Sequence, residues 1–210
     1  QEAMLAALFP NHPYGTQTVL GTQEHLKNPS ITNIKNYYKT WYVPNNMAIC
    51  LSGDFNPDEM IATIDKYFGG LQPNPNLPKL KMQEETEISE PIVREVWGLD
   101  AETVALAWRF PGASSKEFEL LTVLSEVMYN GQAGLIDLNL NQQQKTLSAY
   151  SGAMSLSDYS IFLMQGYPKQ GQTLDEVKDL LLAEMKKLRD GDFDEALLKG
   201  TLNTLKLYMQ

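Results

Sequence analysis

The 210-residue chain is poor in the side chains from which most catalytic and metal sites are built: one cysteine, Cys50, and two histidines, His12 and His25. A single cysteine excludes an intrachain disulfide and any cysteine-rich zinc site. Basic side chains are also scarce, 17 against 26 acidic, for a formal charge of −9 and a sequence pI of about 4.7. That balance argues against a nucleic-acid partner, which needs a basic footprint. No apolar run approaches the roughly 20 residues of a membrane helix, and the opening residues carry no signal-peptide pattern, so no membrane partner is expected. The phosphate-cradling G-x-x-x-x-G-K-[ST] and G-x-G-x-x-G loops are missing, as is a G-x-S-x-G nucleophile elbow.

What is present is globular in kind. Hydrophobic residues make up 43% of the chain and charged residues 20%, enough to build a core without disulfide or metal. The start, Gln1-Glu2-Ala3-Met4-Leu5, is helix-forming without a cap, and residues 202–210 are helix-like without a stop, so the sequence reads as a fragment of a longer polypeptide. Charge is uneven: residues 81–100 carry 2 basic and 6 acidic side chains, whereas residues 1–80 carry 5 and 6. This acidic stretch adjoins Leu71-Gln72-Pro73-Asn74-Pro75-Asn76-Leu77-Pro78, whose prolines continue neither a helix nor a central strand. The expected organisation is the end of one domain over 1–71, a linker over 72–91 with its acidic part solvated, and a second domain over 92–210.

Hydrophobic spacing supplies the elements. Ile34, Tyr37, Tyr38 and Trp41 predict a helix over 30–42 with one buried face, ended by Pro44. Met47-Ala48-Ile49-Cys50-Leu51-Ser52 reads as a short buried strand closed by Gly53. Asn56-Pro57-Asp58-Glu59 supplies a cap, a first-turn proline and an acid, opening a helix that Gly69-Gly70 stops. Residues 92–97 and 104–110 predict a hairpin turning near Leu99-Asp100-Ala101. Ser114-Ser115-Lys116-Glu117 reads as a capping box, and the helix it opens breaks at Asn130-Gly131-Gln132-Ala133-Gly134 before a further short helix. Strands follow near 146–155 and 159–166. Thr173-Leu174-Asp175-Glu176 is a second capping box, and Asp192-Phe193-Asp194-Glu195 caps the last helix. The order predicts an α+β fold with a largely antiparallel sheet.

Few residues offer chemistry. Cys50, inside an apolar strand, reads as inert packing. His12 precedes Pro13 in a loop and reads as turn-stabilising or solvent-facing rather than ligating. Gly21-Thr22-Gln23-Glu24-His25 has glycine where an inverted zinc motif needs its first histidine, and one glutamate and one histidine do not define a site. Glu84-Glu85 and Asp192/Asp194 need only solvation or capping. The 131–134 break either ends a helix or approaches a ligand closely; the former is the simpler account. The aromatic group Tyr37, Tyr38, Trp41 and Tyr42 reads as core packing rather than a binding platform. From residues alone no catalytic or metal residue is assigned, and substrate-binding residues stay unknown.

A set of motifs in order nevertheless marks residues 8–70: Leu8-Phe9-Pro10-Asn11-His12-Pro13-Tyr14-Gly15, Gly21-Thr22-x-Glu24-x-Leu26, Tyr37-Tyr38-x-x-Trp41-Tyr42-x-Pro44-Asn45-Asn46-Met47, Gly53-Asp54-Phe55 and Tyr67-Phe68-Gly69. This resembles the pitrilysin/insulinase family of zinc metallopeptidases, which includes the mitochondrial processing peptidases. Residues 92–210, with Arg109-Phe110-Pro111-Gly112 and the 131–134 break, resemble its second α+β domain. The resemblance implies a parent that uses zinc held by a His-x-x-Glu-His helix and a downstream glutamate, with peptide substrates enclosed between two halves. No position here matches His-x-x-Glu-His, and Glu2 lies too close to the His-Pro-Tyr-Gly loop to be the downstream ligand. The fragment is therefore expected to bind no zinc itself and to be inactive alone, contributing scaffold and chamber wall. Its partners would be a peptide substrate in the parent and the other half of the same protein or a homologous subunit. A second reading is a non-catalytic homologue acting in substrate recognition or assembly; a third, an unrelated α+β binding module, requires the ordered motifs to be coincidental. A lone cysteine fits cytosol, periplasm or organelle equally.

Overall fold

The computed structural model describes residues 1–208. In chain order these form α1 (Glu2–Leu8), α2 (Pro13–Thr16), α3 (Gln23–Lys27), α4 (Ile31–Trp41), a 3-10 turn (Pro44–Asn46), α5 (Pro57–Phe68), β1 (Val104–Pro111), α6 (Lys116–Met128), a π-turn (Asp137–Asn141), β2 (Ser148–Ser155), β3 (Tyr159–Tyr167), α7 (Leu174–Asp190) and α8 (Glu195–Tyr208). They divide into two compact units, one of Gln1–Leu8 with the chain from Ser89 onward, the other Phe9–Ile88.

The first unit is built on a three-stranded antiparallel sheet in the order β1-β3-β2. The alternation that a pleated strand imposes sends Leu106, Trp108 and Phe110 of β1 to the same face as Phe162 and Met164 of β3. There they meet Leu121 and Met128 of α6 and Val177 and Leu181 of α7, forming the hydrophobic core. Full burial of side chains such as Phe162, Met164 and Leu181 stabilises by about 1.5–3 kcal/mol each. Helix α7 lies close to β3 because Gly166 has no side chain: a Cβ there would stand 2.5 Å from Val177 Cγ1 and 3.3 Å from Leu181 Cδ1. α7 starts in the expected capping box, with Thr173 and Glu176 satisfying each other's backbone amides, and ends on left-handed Gly191. The α+β architecture expected from the sequence is present.

The second unit contains helices and extended segments. Helix α5 begins as expected, with Asn56 Oδ1 accepting from the amides of Asp58 and Glu59. The Pro44-Asn45-Asn46 motif has a structural job. Asn45 Nδ2 donates to the Asn74 carbonyl at 2.8 Å, and the Asn74 amide returns a bond to Asn45 Oδ1 at 2.9 Å. Asn74 Nδ2 also donates to the Thr40 carbonyl, so the proline-rich segment is tied to the end of α4.

Several sequence expectations are corrected. Residues 47–52 and 92–97 are not strands, no hairpin turns at 99–101, and β1 pairs with β3 instead. A strand persists only when neighbouring backbone satisfies its amides and carbonyls, and neither stretch joins a ladder among the described residues. Cys50 is accordingly exposed, not buried packing. The apolar row of α4 forms a helix as its spacing predicts, yet Ile34, Tyr37 and Tyr38 are exposed, because within its unit no sheet covers them. Their aromatic neighbours pair along the helix surface, Tyr38 stacking on Tyr42 at 4.7 Å. The cap of α6 is Ser115, one residue later than the expected box, its hydroxyl accepting from the Phe118 amide.

The Arg109-Phe110-Pro111-Gly112 motif ends at a contact that admits only glycine. A Cβ on Gly112 would sit 2.1 Å from the Ser157 carbonyl oxygen, part of the turn joining β2 to β3. Because the obstacle is backbone, Gly112→Ala must move the turn, and it is expected to destabilise the fold by about 2 kcal/mol, read as a lower denaturant midpoint with unchanged slope.

Candidate functional site

Both histidines are committed to local structure. His12 is buried, and its Nδ1 accepts from the Tyr14 amide at 3.2 Å, capping α2. Its ring packs 4.2 Å from that of Tyr14, which meets Phe9 edge-on at 5.5 Å. Of the two roles left open by the sequence, the turn-stabilising one is realised. The Glu85 carboxylate accepts from the backbone amides of Asn11 and His12 at 2.7 Å each and from Asn11 Nδ2 at 3.2 Å. This corrects the expectation that Glu85 is merely solvated: a carboxylate receiving three donors is a structural anchor. His25 is exposed, and its Nδ1 accepts from the Thr22 amide while Thr22 Oγ1 accepts from the His25 amide.

Zinc needs several deprotonated ligands converging on one point. Each histidine here already spends its Nδ1 lone pair on a backbone amide, which in the neutral ring leaves the proton on Nε2, and among the described residues no group of three His, Cys, Asp or Glu side chains converges. The described residues do not fit a zinc ion.

The glycine-rich break is organised around Asp137, which the sequence reading did not single out. Its Oδ2 accepts from the amides of Asn130, Gly131 and Gly134, each at 3.0 Å. Asn130 Oδ1 accepts from Gln132 and Ala133. Gly131 takes a left-handed φ of 79°, and a Cβ on Gly134 would meet Tyr129 Cα at 2.7 Å. The break is thus a concave set of backbone donors filled by the chain's own carboxylate. Its signal was the acid following a G-x-x-G pair, which is too generic to assign from sequence.

The face of the sheet opposite the core carries a polar network. Tyr150 OH donates to Gln165 Oε1 at 2.7 Å, and Gln165 Nε2 donates to Tyr167 OH at 3.0 Å and Thr103 Oγ1 at 3.1 Å. Ala105 and Gly152 flank Gln165 and Leu163 across the strands, leaving a low surface there. At the other end Arg109 donates to the Leu8 carbonyl, closing the end of α1, and lies over the Tyr159 ring. Burial, then hydrogen bonding and charge from Tyr167, push the Tyr150 phenol above its ordinary value.

The model of the M16 peptidase inactive domain matches residues 30–205. The chain belongs to the M16 peptidase family. Among curated M16 relatives, the Helicobacter pylori zinc protease PqqE is 25% identical over 193 residues, which cover 88% of this chain and 42% of that protein. The chain therefore spans less than half of that relative's length. A crystal structure of a Helicobacter pylori protease superposes on all of this chain and 52% of its own with a TM-score of 0.77 at 22% identity. A chain of Complex III2 from Candida albicans covers 99% of this chain and 51% of itself at a TM-score of 0.69 and 17% identity. The M16 fold expected from the ordered motifs is thereby established.

Removing the Asp137 carboxylate strands three amides, so Asp137→Ala is expected to cost about 3 kcal/mol. Hydrogen exchange should accelerate selectively at Asn130, Gly131 and Gly134. The raised Tyr150 phenol binds its proton more tightly in the folded state. Its contribution to stability is complete below the unfolded value near 10 and is lost as pH rises from there through the folded value. Alkaline denaturation should therefore come at lower pH in the wild type than in Tyr150→Phe, once neutral-pH stabilities are matched.

Proposed function

We propose that this M16 chain is a scaffold segment of a zinc-dependent metalloendopeptidase, forming part of the wall of a peptide-holding chamber while the zinc and its ligands lie elsewhere in the whole protein. The observation that carries this reading is the match to the family's inactive domain over residues 30–205, in a chain whose histidines are both used as helix caps. The part of that sheet face away from α1 supports the wall assignment. It combines flat, low positions at Ala105 and Gly152 with the mutually hydrogen-bonded Tyr150, Gln165 and Tyr167, a level polar surface suited to an extended peptide. In this reading residues 1–71 close one peptidase-like domain, residues 72–91 link it onward, and residues 92–210 make most of a second.

A second reading is a non-catalytic homologous subunit acting in recognition or assembly. It is favoured by the fold's occurrence in a chain of the Candida albicans Complex III2. The whole protein separates the two through zinc content by elemental analysis, paired with cleavage of a quenched fluorescent peptide. About one zinc per chain, as a His-x-x-Glu-His site would hold, with cleavage abolished by chelator and restored by zinc is the expected result. A metal-free, inactive whole protein would overturn the peptidase reading in favour of the subunit.

A further inference from the structure

A groove of about 310 Å³ opens where the π-turn, the end of α7 and the start of α8 meet. It is unrelated to the sheet face discussed above and does not depend on the peptidase reading. Its floor is apolar, formed by Leu135, Leu138, Phe193 and Leu197. One wall is held by Glu184, a carboxylate only 2% exposed, which accepts from Asn139 Nδ2 at 2.7 Å and Lys187 Nζ at 2.8 Å. That pairing neutralises Lys187, the one cation of the lining, and takes one of the two Asn139 Nδ2 hydrogens. The left-handed turn at Gly191 then swings Asp192-Phe193-Asp194 over the opening. Asp194 spends one oxygen on the Ala196 amide at the start of α8, whereas the Asp192 carboxylate has no ion-pair or side-chain hydrogen-bond partner among the described residues.

With Lys187 paired to Glu184, the rim is negative in sign through Asp192 and Asp194, above a floor that favours a flat or branched hydrocarbon. We infer that this groove binds a small amphipathic organic cation: an aromatic or aliphatic body carrying a protonated amine, the body on Leu138 and Phe193 and the ammonium at Asp192. The volume sits at the small end of ligand pockets, which are mostly apolar with a few placed polar groups. A point charge with three donors complements the rim better than a carboxylate or phosphate, which Asp192 and Asp194 would repel.

The probe is tryptamine, titrated into the whole protein and followed by amide chemical shifts, with tryptophol as its uncharged counterpart. Saturable tryptamine binding is expected, with shifts clustered at residues 135–139 and 187–197 and at least threefold weaker binding of tryptophol. Asp192→Asn, an exposed position, should weaken tryptamine about three- to fivefold, the size of an exposed ion pair, while leaving tryptophol unchanged. Leu138→Lys, also exposed, should abolish both. Equal affinity for the two probes, shifts centred elsewhere, absence of saturation, or an Asp192→Asn variant that binds tryptamine like the wild type would each overturn the inference.

Discussion

The seam between β3 and α7 is the constraint on which the sheet-bearing unit rests. β3 is the central strand, so it is the one element that both β1 and β2 need for their backbone hydrogen bonds. Its Phe162 and Met164 are also the side chains against which the helices pack. Gly166 lets α7 settle directly on the strand, bringing Val177 and Leu181 into the core instead of holding them off by a side chain's width. Close approach of this kind makes the interior sensitive to single atoms, as packing near crystal density requires.

Fixing α7 fixes what lies at its ends. Toward its C-terminus the helix carries Glu184 inward to Asn139 of the π-turn, which couples that turn to the helix. The π-turn in turn carries Asp137, whose carboxylate gathers the amides of the glycine-rich break. Two buried carboxylates thus hold the irregular backbone between α6 and β2. Each is matched to donors, as a buried charge must be if it is not to destabilise the fold.

In the Phe9–Ile88 unit the same logic operates through polar side chains rather than a core. Glu85 binds the amides at the start of α2, and Asn45 and Asn74 exchange hydrogen bonds. These contacts give His12 and Asn45, both in the ordered motifs, and Asn74 of the proline-rich segment a structural role. They also explain why a segment that looks like a solvated acidic linker from composition is tied down: the sequence shows charge, but only the folded chain shows which carboxylate meets open amides.

Local chemistry makes much of this M16 chain legible in its sequence. The Thr173 capping box, the Asn56-Pro57 helix start, the 130–134 break and the adjacent strands near 146–155 and 159–166 follow from contacts spanning a few residues, which a sequence records directly. The absence of a His-x-x-Glu-His motif is likewise a matter of sequence alone. Tertiary structure decided what depends on distant partners: that residues 47–52 and 92–97 stay outside the sheet, that the aromatic row of α4 is exposed, and that Asp137, Glu184 and Glu85 are anchors. Periodicity tells which face of an element is apolar, but burial and pairing are properties of whatever lies opposite, and that is fixed only when the chain has folded.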